Sequence, residues 1–358
     1  MHRIPIQSLP DVVTREILSN MTPSEIFLAS MTSKKTRKLI KRNIHKVDEV
    51  GVEITGPFFK IRAVVYMKVK GKTCNAVCLD FKEEGNDLNR FVDWRANNSY
   101  QILENIVVIP SIAPEFWNFP ATCRQIHSIH SYVCDVFNIN ALNLSVRFPS
   151  DIYHECFDIG TVKKCTITDV ELDNASLVKL FNKQKNMNLL IVENTREIFA
   201  FGSKDSFRHV PTVILRNAQA RANVLLTRFQ GQHGLLENCS LSGFYVNALM
   251  KLWSENEMDN LVSLIAYQSS QRLFDYEKVL GDLEWYLKHP ERNTLIASRV
   301  EKPSEKRIYP YKSIITQEHQ FEADTFDCDG GYDVVRNSDG KRATVKISKD
   351  YFMFFVWP

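Results

Sequence analysis

Six short apolar runs recur along the middle of the chain at nearly equal distances, and this spacing constrains the fold more than any other feature. Neighbouring runs are 21, 25, 23, 23 and 26 residues apart. Stretches with helical periodicity lie between several of them, as in residues 175–185. A strand followed by a helix at a period of about 20–29 residues is typical of a leucine-rich-repeat solenoid, whose units stack because none can bury its apolar face alone. The runs are centred on Leu144, Cys165, Leu190, Val213, Leu236 and Val262.

The repeats lack a strict leucine and asparagine pattern, so the sequence predicts a degenerate, repeat-like array of strands and helices. A single α/β or α+β domain with evenly spaced strands is the alternative interpretation. Both interpretations place the chain in the mixed α/β class.

The segments that flank the array predict strands, a loop and a helix. Residues 47–78 are rich in β-branched and aromatic residues, and Lys70–Lys72 interrupts them as a turn would, which predicts two or more strands. Residues 83–100 are polar and predict a loop with a short helix. Thr122–Asn138 carries apolar residues at helical spacing and predicts a helix.

The C-terminal residues predict a β-hairpin that closes the array. Asp339-Gly340 is a strong hairpin-turn pair. After it, Ala343, Val345 and Ile347 alternate with polar residues, as in a half-buried strand.

Residues 3–46 predict a module of three short helices. Ser8 can cap the first helix, with Pro10 in its opening turn. Thr22 and Glu25 have the spacing of a capping box and predict the start of the second helix. The third segment, residues 33–43, is basic, which is typical of a solvated helix face. A module of about forty residues rarely holds a core unaided, so we expect it to dock on a partner.

The module resembles an F-box. The resemblance is carried by Leu9-Pro10, Ile17-Leu18, Met21, Glu25, Phe27-Leu28, Ser33-Lys34-Lys35 and Leu39-Ile40. It implies docking onto an SKP-type adaptor and, through the adaptor, onto a cullin-RING ubiquitin ligase. The residues expected to bind the adaptor are Leu9, Pro10, Val13, Ile17, Leu18 and Met21, with Ile26 and Phe27 in support.

The C-terminal half is similar to the F-box-associated domain of type 2, which belongs to an F-box family expanded in nematodes. The similar segments are Phe244–Trp253, Asp259–Leu261, Tyr332–Arg336, Asp339–Val345 and Phe352–Trp357. This resemblance implies that the C-terminal region holds a target protein.

Composition limits the possible partners and compartments. The net charge of +3 is too small to indicate nucleic acid or a membrane surface as a partner. No secretory signal is visible, and the longest apolar run, Tyr351–Trp357, is far too short to span a bilayer. Eight cysteines without a regular framework fit a reducing compartment, so we expect the cytoplasm, the nucleus or both.

The sequence gives no sign of catalysis, a cofactor or a metal. No nucleophile elbow, zinc-protease motif, phosphate-binding loop or dinucleotide glycine pattern is present. Cys123, His127, His130 and Cys134 share one helical face, but the two cysteines lie about 16 Å apart along the axis, too far for one zinc ion. Cys74 and Cys78 lie in a strand-like run and are expected in the core.

The sequence therefore predicts a non-catalytic substrate receptor of a ubiquitin ligase. Its expected domains are an F-box-like helical domain at 3–46, a β-rich connecting region at 47–120 packed on the array, and a repeat-like α/β domain at 121–358. The alternatives are a protein-interaction module without ligase function and an enzyme with no recognised motif.

Overall fold

The structure, a computed structural model, divides into two compact units, Met1–Asn186 and Met187–Pro358. The domain bounds expected from the sequence stay predictions. The described residues are 8–43, 47–55, 60–69, 72–83, 101–103, 106–113, 119–139, 142–147, 162–168, 184, 186–193, 209–269, 274–289, 298–303, 305–311, 313, 315–319, 321, 325–336 and 338–358.

The N-terminal unit combines three short helices, one long helix and a mixed sheet. The helices are α1 (Asp11–Ser19), α2 (Pro23–Thr32), α3 (Lys34–Asn43) and α4 (Phe119–Phe137). The strands are β1 (Glu49–Thr55), β2 (Lys60–Val69), β3 (Lys72–Glu83), β4 (Gln101–Leu103), β5 (Ile106–Ala113), β6 (Leu142–Arg147) and β7 (Val162–Thr168).

The strands of this unit lie in the order β7–β6–β1–β2–β3–β5–β4. β1, β2 and β3 pair antiparallel, whereas β6 joins β1 and β7 in parallel. The pairing register aligns buried apolar side chains across five strands, and this row forms the centre of the sheet. The row consists of Val77, Val65, Val52, Leu144 and Cys165.

The C-terminal unit combines four helices with a second mixed sheet. Its helices are α5 (Arg221–Arg228), α6 (Gly243–Ser254), α7 (Tyr276–Lys288) and α8 (Ile315–Glu318). Its strands are β8 (Leu189–Glu193), β9 (Thr212–Leu215), β10 (His233–Cys239), β11 (Ser263–Gln268), β12 (Ser298–Glu301), β13 (Ile308–Pro310), β14 (Thr325–Asp327), β15 (Tyr332–Arg336), β16 (Arg342–Ile347) and β17 (Tyr351–Val356).

Here the main sheet runs β8–β9–β10–β11–β17–β16–β15–β12, and β13 and β14 form a separate two-stranded sheet. β8, β9, β10 and β11 pair in parallel. The remaining neighbours in the sheet, from β11 through β17, β16 and β15 to β12, pair antiparallel. One buried row crosses five strands of this sheet. Its members are Ile191, Ile214, Leu235, Ile265 and Met353.

The mixed α/β class is confirmed, and so are the six predicted strand positions. Five of the predicted centres lie inside β6 to β10, and Val262 lies one residue before β11. The helix expected at 175–185 and the loop expected at 83–100 fall almost entirely outside the described residues. Assignment of the array to the leucine-rich repeats stays a prediction.

The predicted strands within residues 47–78, the helix at Thr122–Asn138 and the C-terminal hairpin are also confirmed. Gly340 has a φ of +72° in the turn between β15 and β16, where a residue without Cβ is favoured. β17 extends the hairpin into a three-stranded meander.

The prediction that Ser8 is the N-cap of the first helix is wrong. α1 begins at Asp11, and Pro10 occupies the N-cap. The first helical hydrogen bond runs from the Thr14 N–H to the Pro10 carbonyl, at 2.9 Å. Because the ring of Pro10 fixes its φ near the helical value while its ψ stays extended, the chain turns into the helix at Pro10.

Among the described residues, no helix has both the length and the apolar character needed to cross a bilayer.

Candidate docking surface

The outer face of α1 carries exposed apolar side chains. Val12 is 75% exposed, Val13 43% and Ile17 37%. Thr14 and Leu18 occupy the inner face and are buried. A cluster of exposed apolar side chains on one short helix is a candidate surface for a protein partner.

The eight residues predicted to bind an adaptor divide into a surface group and a buried group. Val13 and Ile17 lie on the outer face of α1, and Pro10 is exposed just before it. Leu9 and Met21 are half-buried at the two ends of the helix. The buried group consists of Leu18, Ile26 and Phe27.

A capping box fixes the joint between α1 and α2. The Thr22 hydroxyl accepts a hydrogen bond from the Glu25 N–H at 3.3 Å, and the Glu25 carboxylate accepts one from the Thr22 N–H at 2.6 Å. The bond from the Thr22 backbone is the main reason that the pKa of Glu25 lies below its usual range. This reciprocal pair is the predicted one, and it sets where α2 begins.

The core of the three helices is completed by α4. The ring of Phe27 on α2 meets Tyr132 of α4 edge to face, at 5.8 Å between ring centroids. The Tyr132 hydroxyl also lies 3.1 Å from the Ser30 hydroxyl, which donates to the Phe27 carbonyl at 2.6 Å. The three helices therefore complete their core by packing against α4 of the same chain. The outer face of α1 stays uncovered.

Ionic contacts join α3 to the same helix. The Lys41 ammonium lies 2.6 Å from the Asp135 carboxylate, and the Arg37 guanidinium lies 3.9 Å from it. Arg37 also stands over the Tyr132 ring, at 5.4 Å. Tyr132 and Asp135 were not predicted as contact residues, because their place on a predicted helix was the only local signal for them.

Known proteins identify this module. Residues 6–48 match the family model described as the F-box domain. The N-terminal module is an F-box domain. The chain is also 22% identical over 173 residues to the Skn-1 dependent zygotic transcript 15 protein of Caenorhabditis elegans, and the match covers 48% of each chain. The chain thus spans about half the length of this curated relative. No solved structure matches the chain.

In the C-terminal unit, one face of the parallel strands is filled by the unit's own chain. Residues 307–328, as far as they are described, form what we call the cap. The buried row of the sheet packs against apolar and aromatic side chains of the cap. These side chains are Tyr309, Tyr311, Ile315, Phe321, Phe326 and Cys328.

Ring stacking and an ion pair hold the cap in place. Tyr309 stacks on Phe355 at 4.6 Å and donates a hydrogen bond to the Val356 carbonyl at 3.0 Å. Arg307 pairs with the buried Asp333 and lies 5.0 Å from the Trp357 ring. The buried row on this strand face is therefore part of the core of the C-terminal unit.

The residues that carry the C-terminal resemblance converge on Arg336. Its guanidinium bonds the carboxylates of Asp259 and Asp339 at 2.8 and 2.6 Å, and it lies 4.9 Å from the Trp253 ring. Trp253 in turn meets Phe354 at 5.5 Å. These contacts give the shared residues a structural role, and the assignment to the type 2 family stays a prediction.

A histidine and a serine lie close together in the C-terminal unit. His233 lies 2.9 Å from the Ser263 hydroxyl, which resembles a base beside a nucleophile. Ser263 is fully buried beneath Tyr311, and burial lowers the pKa of His233 to about 4. The pair therefore acts as a polar contact at the core of the C-terminal unit.

The candidate metal ligands on α4 come together only in part. The Cys134 sulfur lies 3.2 Å from Nε2 of His130. Burial lowers the pKa of His130 to about 4 and raises the pKa of the Cys134 thiol to about 12, so both groups are neutral at pH 7. Within the described residues, no group of three or more His, Cys, Asp or Glu side chains could hold a metal ion. The side chains of Cys74, Cys78 and Cys123 lie outside the described part of the structure.

Proposed function

We propose that this chain is a substrate receptor of an SCF-type ubiquitin ligase. Its F-box docks on an SKP-type adaptor, the adaptor connects it to a cullin, and its C-terminal unit holds a target protein. The observation that carries the proposal is the exposed apolar face of α1 on a domain whose family binds SKP-type adaptors. The proposal assigns ubiquitin transfer to other subunits.

The surface and buried groups of the predicted site have different tasks in this proposal. Pro10, Val13 and Ile17 contact the adaptor together with Val12, which was not among the eight residues predicted to bind it. Leu18, Ile26 and Phe27 pack the core beneath them and hold α1 in position. Leu9 and Met21 border the contact at each end of α1.

The receptor acts through proximity. A target held near a ubiquitin-charged carrier reacts at a high effective concentration, so a subunit without catalytic residues still controls which protein is modified. Such a subunit needs two rigid docking surfaces and no reactive groups.

The target surface lies outside the cap in this proposal, because the cap fills the strand face of the C-terminal unit. A cleft of about 270 Å³ opens where α5 and α6 end and is one candidate contact. Buried Phe229 and Met258 line it beside exposed Arg228 and Glu257. It falls slightly below the usual range of small-molecule pockets, about 300–1,000 Å³, and suits one side chain of a protein target.

Reconstitution tests the ligase role. The tagged full chain is mixed with a purified SKP-type adaptor and a cullin, and the proteins that co-purify are identified. The proposal predicts a complex that contains all three. Adaptor binding without the cullin would favour the alternative, a protein-interaction module that does not direct degradation.

Proximity labelling in cells can then identify the target. Deletion of the F-box is a poor control because it would uncover Tyr132 and the rest of the α4 face that packs against α2. Substitution of Val12, Val13 and Ile17 by glutamine leaves that core intact. Proteins labelled by both the wild type and this variant are candidate targets, and proteins lost with the variant are ligase partners.

A further inference from the structure

Two turns of the C-terminal unit contain the same reactive pair, an aspartate followed by a glycine. The pairs are Asp329-Gly330, between β14 and β15, and Asp339-Gly340, between β15 and β16. Both glycines are exposed and have a positive φ, +75° and +72°. Among the described residues, only the chain neighbours of each glycine come within 4 Å of the position that a Cβ would take. The two turns therefore present the same groups in equally open surroundings.

An aspartate beside a glycine can close a ring with the next backbone nitrogen. The glycine nitrogen attacks the carboxyl carbon of the aspartate, and the five-membered ring that forms is a succinimide. Closure is favoured when the nitrogen lies near the carboxyl carbon, when the carboxyl is neutral so that its hydroxyl can leave as water, and when no Cβ hinders the nitrogen. Both turns meet the third condition, and they differ in the other two.

The carboxyl group of Asp329 is directed at the nitrogen with which it would react. Its Oδ1 accepts a hydrogen bond from the Gly330 N–H, at 3.0 Å. The carboxyl carbon is one covalent bond from that oxygen, so the two atoms that would join are already neighbours. Among the described residues, no lysine or arginine forms an ion pair with Asp329, whereas the nearby Asp327 lies 3.5 Å from the ammonium of Lys306.

The carboxyl group of Asp339 is held away from the same reaction. Its oxygens accept hydrogen bonds from Nε and Nη2 of Arg336, at 3.1 and 2.6 Å, and from the Lys341 N–H, at 3.0 Å. These bonds, those from Arg336 first, hold the pKa of Asp339 below its usual range, so its carboxyl is seldom neutral. The Gly340 N–H donates instead to the Arg336 carbonyl, at 3.0 Å. Both groups of this pair are therefore engaged elsewhere.

We propose that Asp329 is a site of spontaneous isoaspartate formation and that Asp339 is protected from it. The Gly330 nitrogen bonds to the carboxyl carbon of the neutral Asp329 side chain, the bond from that carbon to its hydroxyl breaks, and the hydroxyl leaves with the amide proton as water. A water molecule then opens the succinimide. Attack at the side-chain carbonyl restores aspartate, and attack at the main-chain carbonyl yields isoaspartate. The sequence of steps uses water alone and changes no oxidation state.

The modified residue would lie where the cap joins the main sheet. Isoaspartate adds one methylene group to the main chain directly after the cap, in a turn that is closed by a bond from the Gly331 N–H to the Cys328 carbonyl, at 3.1 Å. The chain has no room to shift at Gly331, because even a Cβ there would lie 2.9 Å from the Thr344 side chain and 3.0 Å from the Val345 carbonyl oxygen. The conversion therefore opens the turn and loosens the attachment of the cap to β15.

Ageing of the full chain tests the proposal, and the second turn serves as the internal control. The protein is incubated in mildly acidic buffer, once folded and once unfolded in guanidinium chloride, and is then digested with trypsin. Cleavage after Lys312, Arg336 and Lys341 places the two pairs in separate peptides, 313–336 and 337–341. Isoaspartate leaves the mass of a peptide unchanged and shifts its retention in reversed-phase chromatography, whereas deamidation raises the mass. The unfolded chain supplies the intrinsic rate of each pair.

We expect folding to slow conversion of peptide 337–341 by about tenfold or more, because the geometry of the pair is lost, and to leave conversion of peptide 313–336 at or above its unfolded rate. Equal slowing of the two peptides, or greater slowing of 313–336, would overturn the proposal. Conversion of 313–336 should stop in Asp329→Glu, since closure would then need a six-membered ring. Conversion that persists in this variant would assign the reaction to another aspartate of the peptide and would also overturn the proposal.

The effect on the cap is measured in the same samples. The aged wild type should unfold at a lower guanidinium concentration than the fresh protein, in proportion to the share of Asp329 that has converted. Aged Asp329→Glu should keep the midpoint of its own fresh sample. An unchanged midpoint after conversion of the wild type would contradict the loosening of the cap.

Discussion

Thr22 and Glu25 are residues whose role follows from sequence alone, because each satisfies a backbone group three positions away. Ser8 has a similar residue type, yet the fixed φ of Pro10 moves the helix start past it. Val12, Val13 and Ile17 follow helical spacing like core residues, and the structure turns them outward. Periodicity shows which residues share a face, and it does not show whether that face meets its own chain or a partner.

Replacement of Thr22 by alanine should lower the free energy of unfolding by about 1 kcal/mol, because the Glu25 N–H loses its acceptor. Denaturant unfolding measures the change. Thr32→Ala is the matched control. Thr32 lies at the C-terminal end of α2, where its hydroxyl only donates a hydrogen bond to the Ala29 carbonyl of the same helix. Equal effects of the two substitutions would contradict a capping role for Thr22.

The charge of Glu25 makes the same joint sensitive to acid. The pKa of Glu25 is lowered, chiefly by the hydrogen bond from the Thr22 backbone, so the ionised carboxylate favours the folded state. Its contribution is complete above the ordinary pKa of a glutamate and is lost as the pH falls through the lowered pKa. The stability difference between the wild type and Glu25→Gln should therefore vanish in acid. A difference that does not change with pH would contradict this account.

At the scale of elements, evenly spaced apolar runs were sufficient to place β6 to β11, because each strand is a local pattern. The cap was not predicted. Its strands, β13 and β14, are only three residues long, and its aromatic side chains are distant in sequence from the strands they cover. Contacts between distant segments leave no periodic signal, so the sequence could not show which face of the array is open to a partner.

Phe355 and Phe244 form a matched pair that tests the cap. Phe355 is fully buried between β17 and the cap, so Phe355→Ala should lower the free energy of unfolding by about 3–5 kcal/mol. Phe244 is 74% exposed on α6, and Phe244→Ala should change it by about 0.5 kcal/mol or less. A small effect at Phe355 would mean that the strand face is open in solution and available to a target.

At the scale of the whole molecule, the two units differ in the surfaces that they leave uncovered. The F-box completes its core with α4 and keeps one apolar face free, while the C-terminal unit closes its strand face with the cap. The F-box resemblance came from local motifs, so the sequence alone was enough to suggest the adaptor that we propose as a partner. Tyr132 packs against α2 although it lies about a hundred residues further along the chain, so only the structure shows that it completes the core of the F-box.

The adaptor affinity of a surface variant tests the central claim most directly. The dissociation constant of the full chain for a purified SKP-type adaptor is measured by titration calorimetry. The variant V12Q/V13Q/I17Q loses the exposed apolar area of α1, which corresponds to about 3 kcal/mol, or about a hundredfold weaker binding. The control F244Q/W285Q/I308Q removes three exposed apolar side chains from the C-terminal unit and should bind like the wild type. Wild-type affinity in the α1 variant would contradict the account.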